Sequence, residues 1–441
     1  MPDSIIIFGA DGYIGWPLAV HLGSKHPEKK IVLVDNLATR KLVKSVHTRS
    51  LVPIKSMPHR IAAYERVTGH HNLEFVFADA RDSELVETVF RKHRPESVVH
   101  LAQQRSAPFS MIDQEHAMYS ELNNVATNMN IVYSMARNAP DAHLLKMGSM
   151  GEYGQPGIEI AEGELEIEHK GRKARVMFPL GAGSYYHLSK IFDTFNVKLA
   201  NKLFDITATD IMQGVVYGTR TDELVDDELA TRFDFDSIWG TLINKYAIQA
   251  VALNKLLIYG KGKQKRGFLS LYDSINCLTL LLENPPKNGD YRIVNQLDEI
   301  YDTLELAEKV QAVGKEYGID AGLEYVPNPR VEKEEHYYEV ETKILPSLGF
   351  KRRKNLDVVL HEIFEAVLAN KNRIGDAKEL IYPTVQWKSG KVNRAPLFKL
   401  PKEMLSIVTP ADMDYETDSG SEESGVSHVQ EPFEAVKRPS K

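Results

Sequence analysis

The chain has 441 residues, 43% of them apolar and 26% charged, with a formal net charge of -7. This is the composition of a globular protein with a large core, in two or three domains or one enlarged α/β domain; the negative balance excludes general nucleic-acid binding, and clusters such as Lys351-Arg352-Arg353-Lys354 read as solvated surface. One cysteine, Cys277, allows no disulfide or thiolate metal cluster within one chain and fits a reducing, cytoplasmic compartment, and no apolar run approaches the roughly 20 residues of a membrane span.

An apolar run at residues 4 to 8 ends in Gly9-Ala10-Asp11-Gly12-Tyr13-Ile14-Gly15; a helical pattern follows to His21-Leu22, and Ile31-Val32-Leu33-Val34 closes on Asp35. Three glycines alone suit any tight βα turn. Between a strand and a helix, with an acid about 20 positions on, they form a dinucleotide fingerprint. The glycines let backbone approach a pyrophosphate at the helix N-terminus, and Asp35 can accept from ribose hydroxyls while repelling a 2′-phosphate, which favours NAD over NADP. Asp11, Tyr13 and Ile14 in the turn, and Asn36, Leu37 and Arg40 after the acid, are assigned to the cofactor with it.

Further strands are predicted at Leu73 to Phe77 and Ser97 to Leu101, with a helix from Ser83 to His93 between them. Asp79 suits an adenine-amine acceptor or a helix N-cap, and Ala80, Leu101, Gln103 and Asn123 complete this side of the cofactor site. Leu144-Leu145-Lys146-Met147 is another strand, and Ser149 lies just past its C-terminal end, the edge where ligands bind in a doubly wound sheet. Alternating strands and helices to residue 150 imply a parallel sheet.

The regularity then breaks. Ile158 to Val176 reads as a loop or hairpin over the site, before a helix carrying Tyr186 and Lys190. Four apart, these two share a helix face, and an ammonium near a phenol favours the phenolate. Tyr259 and Lys263 have the same spacing in a glycine-rich turn, so the pair needs its context. Ile206 to Met212 is a sixth strand, ending in Gln213-Gly214-Val215-Val216-Tyr217-Gly218, where Val216 meets the cofactor. The organisation read from this is an α/β doubly wound, Rossmann-like sheet over 1–218, a smaller α+β substrate-binding part over 219–405, and a disordered acidic tail over 406–441 containing Ser419 and Ser421.

The glycine turn, Asp35, Ser149 and the Tyr186/Lys190 pair, in this order, resemble the extended short-chain dehydrogenase/reductase superfamily, whose members act on nucleotide sugars. Longer stretches are similar to its sulfosugar-forming branch: Gln103 to Asp113, Met150-Gly151-Glu152-Tyr153-Gly154, Tyr186 to Lys190, Gln213 to Gly218, and Pro327 to Glu332 with Glu335 to Tyr338. The resemblance spans about residues 4 to 390. It implies a bound NAD, UDP-glucose and sulfite as substrates, a homodimer through helices near 114–138 and 185–204, and a possible sulfite-delivering protein, with no metal. The implied steps are C4 oxidation, loss of the C5 proton and C6 hydroxyl, sulfite addition at C6 and C4 re-reduction. Formal classification places this family among hydrolases of a carbon–sulfur bond.

By the same resemblance Ser149 binds the reacting hydroxyl, Tyr186 is the base and Lys190 holds the nicotinamide ribose. Sugar dehydratases follow the serine with an Asp-Glu pair; here Met150 and Gly151 follow Ser149, so His187 and Glu152 become the candidate proton carriers. Arg105 is expected at the sugar or sulfite anion, Arg266 and Arg330 at the diphosphate, and Gln213, Thr241, Tyr259, Gln264 and Glu332 elsewhere on the substrate. The rival readings are a UDP-glucose 4-epimerase or 4,6-dehydratase, and a catalytically silent NAD-sensing scaffold with the tail as partner segment.

Overall fold

A computed structural model describes residues 4–388 and 398–412. Seven parallel strands form the central sheet, in the spatial order Tyr291–Gln296, Thr207–Gln213, His143–Met147, Ser97–His100, Ser4–Phe8, Lys30–Asp35, Leu73–Phe77. All six pairings are parallel. Ser4–Phe8 is buried throughout because helices cover both faces. Its side chains alternate: Ile5 and Ile7 pack with helices Gly15–Lys25 and Leu271–Glu283, while Ile6 and Phe8 pack with Ser83–His93, Gln114–Asn138 and Tyr185–Phe204. The chain moves outward from the first strand, then returns to its other side at Ser97–His100, which opens a crevice beside Gly9.

The sheet's seventh strand, Tyr291–Gln296, pairs with Thr207–Gln213. It arises beyond residue 218, so the sheet reaches into the expected substrate-binding part; Tyr-Arg-Ile-Val-Asn-Gln is too polar to announce a buried strand. A second core joins helices Leu242–Leu253, Thr303–Glu316 and Leu356–Asn370 to the parallel pair Lys255–Tyr259 and Gly322–Val326. Cys277 is buried in Leu271–Glu283, and burial pushes its thiol pKa up.

Two expectations change. The stretch from Ile158 does contain a hairpin, Glu164–His169 with Arg172–Met177, but its side chains are mostly exposed and line none of the site cavities; the loop Gly181 to Gly183 does instead. The tail was expected to begin at residue 406, yet Met404 and Val408 are buried in the main core with Phe398 and Leu400. The remainder of the acidic tail, with Ser419 and Ser421, lies outside the described residues. Among the described residues no helix is long and apolar enough to cross a membrane.

Candidate active site

The turn after the first strand is shaped for close approach of a ligand. Gly9 has φ +86°, and a Cβ there would sit 2.6 Å from the Leu101 carbonyl carbon; one at Gly15 would sit 2.2 Å from the Gly9 oxygen. Helix Gly15–Lys25 starts from this turn, so its N-terminal amides face the crevice. Asp35 accepts hydrogen bonds from the Asp11 amide (2.9 Å) and the Leu37 amide (2.6 Å). Burial, then the Asp11 charge, pushes its carboxyl up to about 6, leaving it ionised at neutral pH. Asp35, Asn36, Ala80, Gln103 and Asn123 wall a cavity of about 80 Å³ that continues from the glycine turn. An adenosine-bearing dinucleotide fits this donor and acceptor set.

Four expected cofactor residues are engaged differently. The Asp11 carboxylate is deep in a cluster of arginines, taking Arg40 Nε (2.8 Å) and Nη2 (2.7 Å) and Arg60 Nη1 (2.9 Å), so Asp11 and Arg40 hold the turn from behind and line no site cavity. Leu37 packs into the core with φ 58°. Asp79 lines the smaller cavity, but its carboxylate is taken by the Arg81 guanidinium (Nη2 at 2.6 Å) and the Val408 amide (2.8 Å), and the helix N-cap is Asp82.

Ser149, Tyr186, His187 and Lys190 converge on a cavity of about 320 Å³. Ser184 caps helix Tyr185–Phe204 through the His187 amide, which sets the face that Tyr186 and Lys190 share. Lys190 Nζ donates to the Met147 carbonyl (2.7 Å) and to Gln103 and lies 5.8 Å from the Tyr186 ring centre. Burial, then Lys146, lowers it to about 8. The Tyr186 phenol is pushed up by burial and then by the Glu152 charge, with Arg105 and Ser149 opposing, so the expected depression is not realised.

Glu152 does not face the cavity. Fully buried, it accepts from the Ser149 amide (2.8 Å) and sits with Lys146, Thr194 and Asp210 behind the strand ends, so its carboxylate is not placed to meet a ligand in the cavity. His187 is retained. Its Nδ1 lies 3.0 Å from Ser184 Oγ, and a Cβ at Gly151 would fall 2.1 Å from Nε2. The imidazole thus occupies the space that a side chain at 151 would fill, and burial with Arg330, Arg266 and Lys190 lowers it to about 3, keeping it neutral.

All eight expected substrate residues besides Ser149 line the same cavity: Arg105, Gln213, Thr241, Tyr259, Gln264, Arg266, Arg330 and Glu332. Arg105 is held by Asp234 and the Trp239 carbonyl (3.1 Å), and Arg266 by Glu332. Arg330 lies over Trp387 at 5.2 Å with no hydrogen-bond partner for its guanidinium among the described residues. Thr241 Oγ1 is buried and unpartnered at the start of helix Leu242–Leu253. Lys245, in the first turn of that helix, lines the cavity with its ammonium lowered to about 8 by burial and Arg330, a cation that sequence reasoning missed because one lysine in an apolar helix reads as surface. A second cavity of about 380 Å³ meets the first at Ser149, His187, Gln213 and Arg330 and runs out to the exposed Gly181, Gly183 and Val331. Among the described residues no group of three or more His, Cys, Asp or Glu could hold a metal.

Residues 5–295 match the family model described as "NAD dependent epimerase/dehydratase family". Over 385 residues the chain is 42% identical to the UDP-sulfoquinovose synthase of Sulfolobus acidocaldarius, spanning 87% of this chain and 97% of that protein. The chain belongs to the NAD-dependent epimerase/dehydratase family, in its UDP-sulfoquinovose synthase branch. The chloroplastic UDP-sulfoquinovose synthase of Spinacia oleracea is 39% identical over 87% of this chain and 79% of its own length. A solved UDP-glucose-4-epimerase from Stenotrophomonas maltophila, 18% identical with a TM-score of 0.64 over 84% of this chain and 99% of that one, shares the fold. The cofactor of this epimerase/dehydratase family is NAD, which the glycine turn and Asp35 fit. Relatives named as synthases within an epimerase/dehydratase family overturn the hydrolase classification.

Proposed function

We propose that the protein converts UDP-glucose and sulfite to UDP-sulfoquinovose and water. The observation that carries this is the 42% identity across 97% of a UDP-sulfoquinovose synthase. The cofactor supplies an acceptor for the C4 hydrogen with its two electrons and gives them back, so it is not consumed. Tyr186 takes the C4 hydroxyl proton, Ser149 holds that oxygen, and Lys190 orients the nicotinamide ribose. With C4 a ketone, the C5 hydrogen is acidic; its loss with the C6 hydroxyl releases water and leaves an enone. Sulfite adds at C6, C5 is protonated and C4 is reduced.

His187 carries the proton between C5 and the C6 oxygen. Its place over Gly151, where the dehydratases have an acid, supports this, and the neutral imidazole can act first as base. Burial chiefly holds the imidazole down, and the diphosphate neutralises Arg330 and Arg266, which add to that effect, so its basicity rises in the complex. The second cavity offers a small anion, free or from a sulfite-delivering protein, a side to enter from. A homodimer is supported by apolar side chains exposed on helices Gln114–Asn138 and Tyr185–Phe204, and the single buried cysteine supports a cytoplasmic site.

Purified protein with NAD and UDP-glucose, assayed with and without sulfite, tests the reading. A sulfonated UDP-sugar formed only with sulfite is expected; UDP-galactose or a stable 4-keto-6-deoxy sugar without sulfite would sink it.

A further inference from the structure

Residues 398–412 lie beyond the family model and beyond the motifs that carry the resemblance, yet they are packed against the cofactor end of the fold. Phe398, Leu400, Met404 and Val408 are buried in one cluster with Leu37, Ala38, Leu42 and Phe77, the residues that follow the second and form the third strand. Lys41 pairs with Glu403 at 3.2 Å. Arg81 donates from Nη1 to the Met404 carbonyl (2.7 Å) and from Nη2 to the Ser406 carbonyl, and Val408 donates its amide to Asp79 Oδ2 at 2.8 Å. Asp79 is 1% exposed, and its carboxylate receives donors only from Arg81 and Val408 among the described residues.

The stretches on which this segment packs also form cofactor wall. Asp79, Ala80, Ala38 and Leu42 line the smaller cavity at the adenosine end. Asp79 is therefore tied to the C-terminal segment through its carboxylate while being part of the cavity wall. The segment supplies one of that carboxylate's donors, the Val408 amide, and its carbonyls anchor the Arg81 guanidinium that supplies others, so lifting it leaves a buried carboxylate short of a donor until it moves to find another. Any such movement shifts the wall. We propose that residues 398–412 act as a clamp that positions the Asp79–Ala80 wall of the NAD site and thereby sets how long NAD stays bound. In a reaction that regenerates its cofactor each turnover, slow release keeps every molecule ready. The inference rests on the NAD cofactor and not on which sugar is made.

The test uses the full chain loaded with NAD, whose release is followed after mixing with excess unlabelled NAD. Val408→Pro removes the amide donor, and Met404→Asp with Val408→Asp lifts the segment from its apolar seat. Both should release NAD about tenfold faster or more, the consequence of losing roughly one buried hydrogen bond, with UDP affinity by calorimetry unchanged. Release within about twofold of the parent in both variants, whatever the change in Tm, overturns the clamp. A matching fall in UDP affinity also overturns it, because the fold as a whole would then have loosened.

Discussion

A methyl group at Gly151 would lie 2.1 Å from His187 Nε2, a distance no pair of atoms tolerates, so the ring and that glycine form one unit. Gly151→Ala should swing the imidazole aside and slow sulfosugar formation by about a hundredfold, the usual worth of a positioned proton carrier, while C4 oxidation persists. Single-turnover absorbance at 340 nm separates the two steps, and equal losses in both would refute the assignment of His187. Asp35 gives a second prediction at this scale. With its carboxyl at about 6, lowering the pH through that value protonates the ribose acceptor, so NAD affinity should fall below pH 6 and be constant above pH 7. Calorimetry across pH 5 to 8 checks this, with Asp35→Asn expected to flatten the profile. The sequence named Ser149, Tyr186, His187 and Lys190 correctly as neighbours because strand ends and helical spacing fix where backbone goes. It did not foresee that the Glu152 and Asp11 carboxylates are turned to buried cations away from the cavities, since adjacency to a motif does not say which way a side chain points.

Helices Gln114–Asn138 and Tyr185–Phe204 coincide with the ranges expected from sequence. They pack side by side and leave Met118, Leu122, Phe192, Phe195, Leu199 and Leu203 more than 40% exposed, the apolar side chains that the proposed dimer would cover. If it does, Leu122→Glu with Leu199→Glu should halve the mass in sedimentation while leaving helix content unchanged; an unaltered mass would show that these helices hold no second copy. Those helix ranges came from the family resemblance, whereas strands such as Ile31 to Val34 were legible from their apolar runs. The strand Tyr291–Gln296 and the segment 398–412 were not, because the first is half polar and the second buries only scattered residues between prolines and charges.

At the scale of the whole molecule, strands His143–Met147 and Thr207–Gln213 and helix Tyr185–Phe204 come together around Lys146, which is fully buried 3.0 Å from Asp210 and 3.8 Å from Glu152. Lys146→Met would leave two buried carboxylates without their cation, and about 3–5 kcal/mol of stability should be lost; urea unfolding with a loss under roughly 1 kcal/mol would show that the carboxylates find other partners. No single motif announces this network, since its members come from strands and helices up to 64 positions apart. Cys277 has a consequence of a different kind. Sulfite attacks disulfide sulfur as readily as it attacks an electron-poor alkene, cleaving the bond to a thiol and an S-sulfonate. A protein that takes this nucleophile as a substrate, as proposed for this one, is safest with no such bond to lose, and a chain whose one sulfhydryl is buried, with its ionisation suppressed, has none within it.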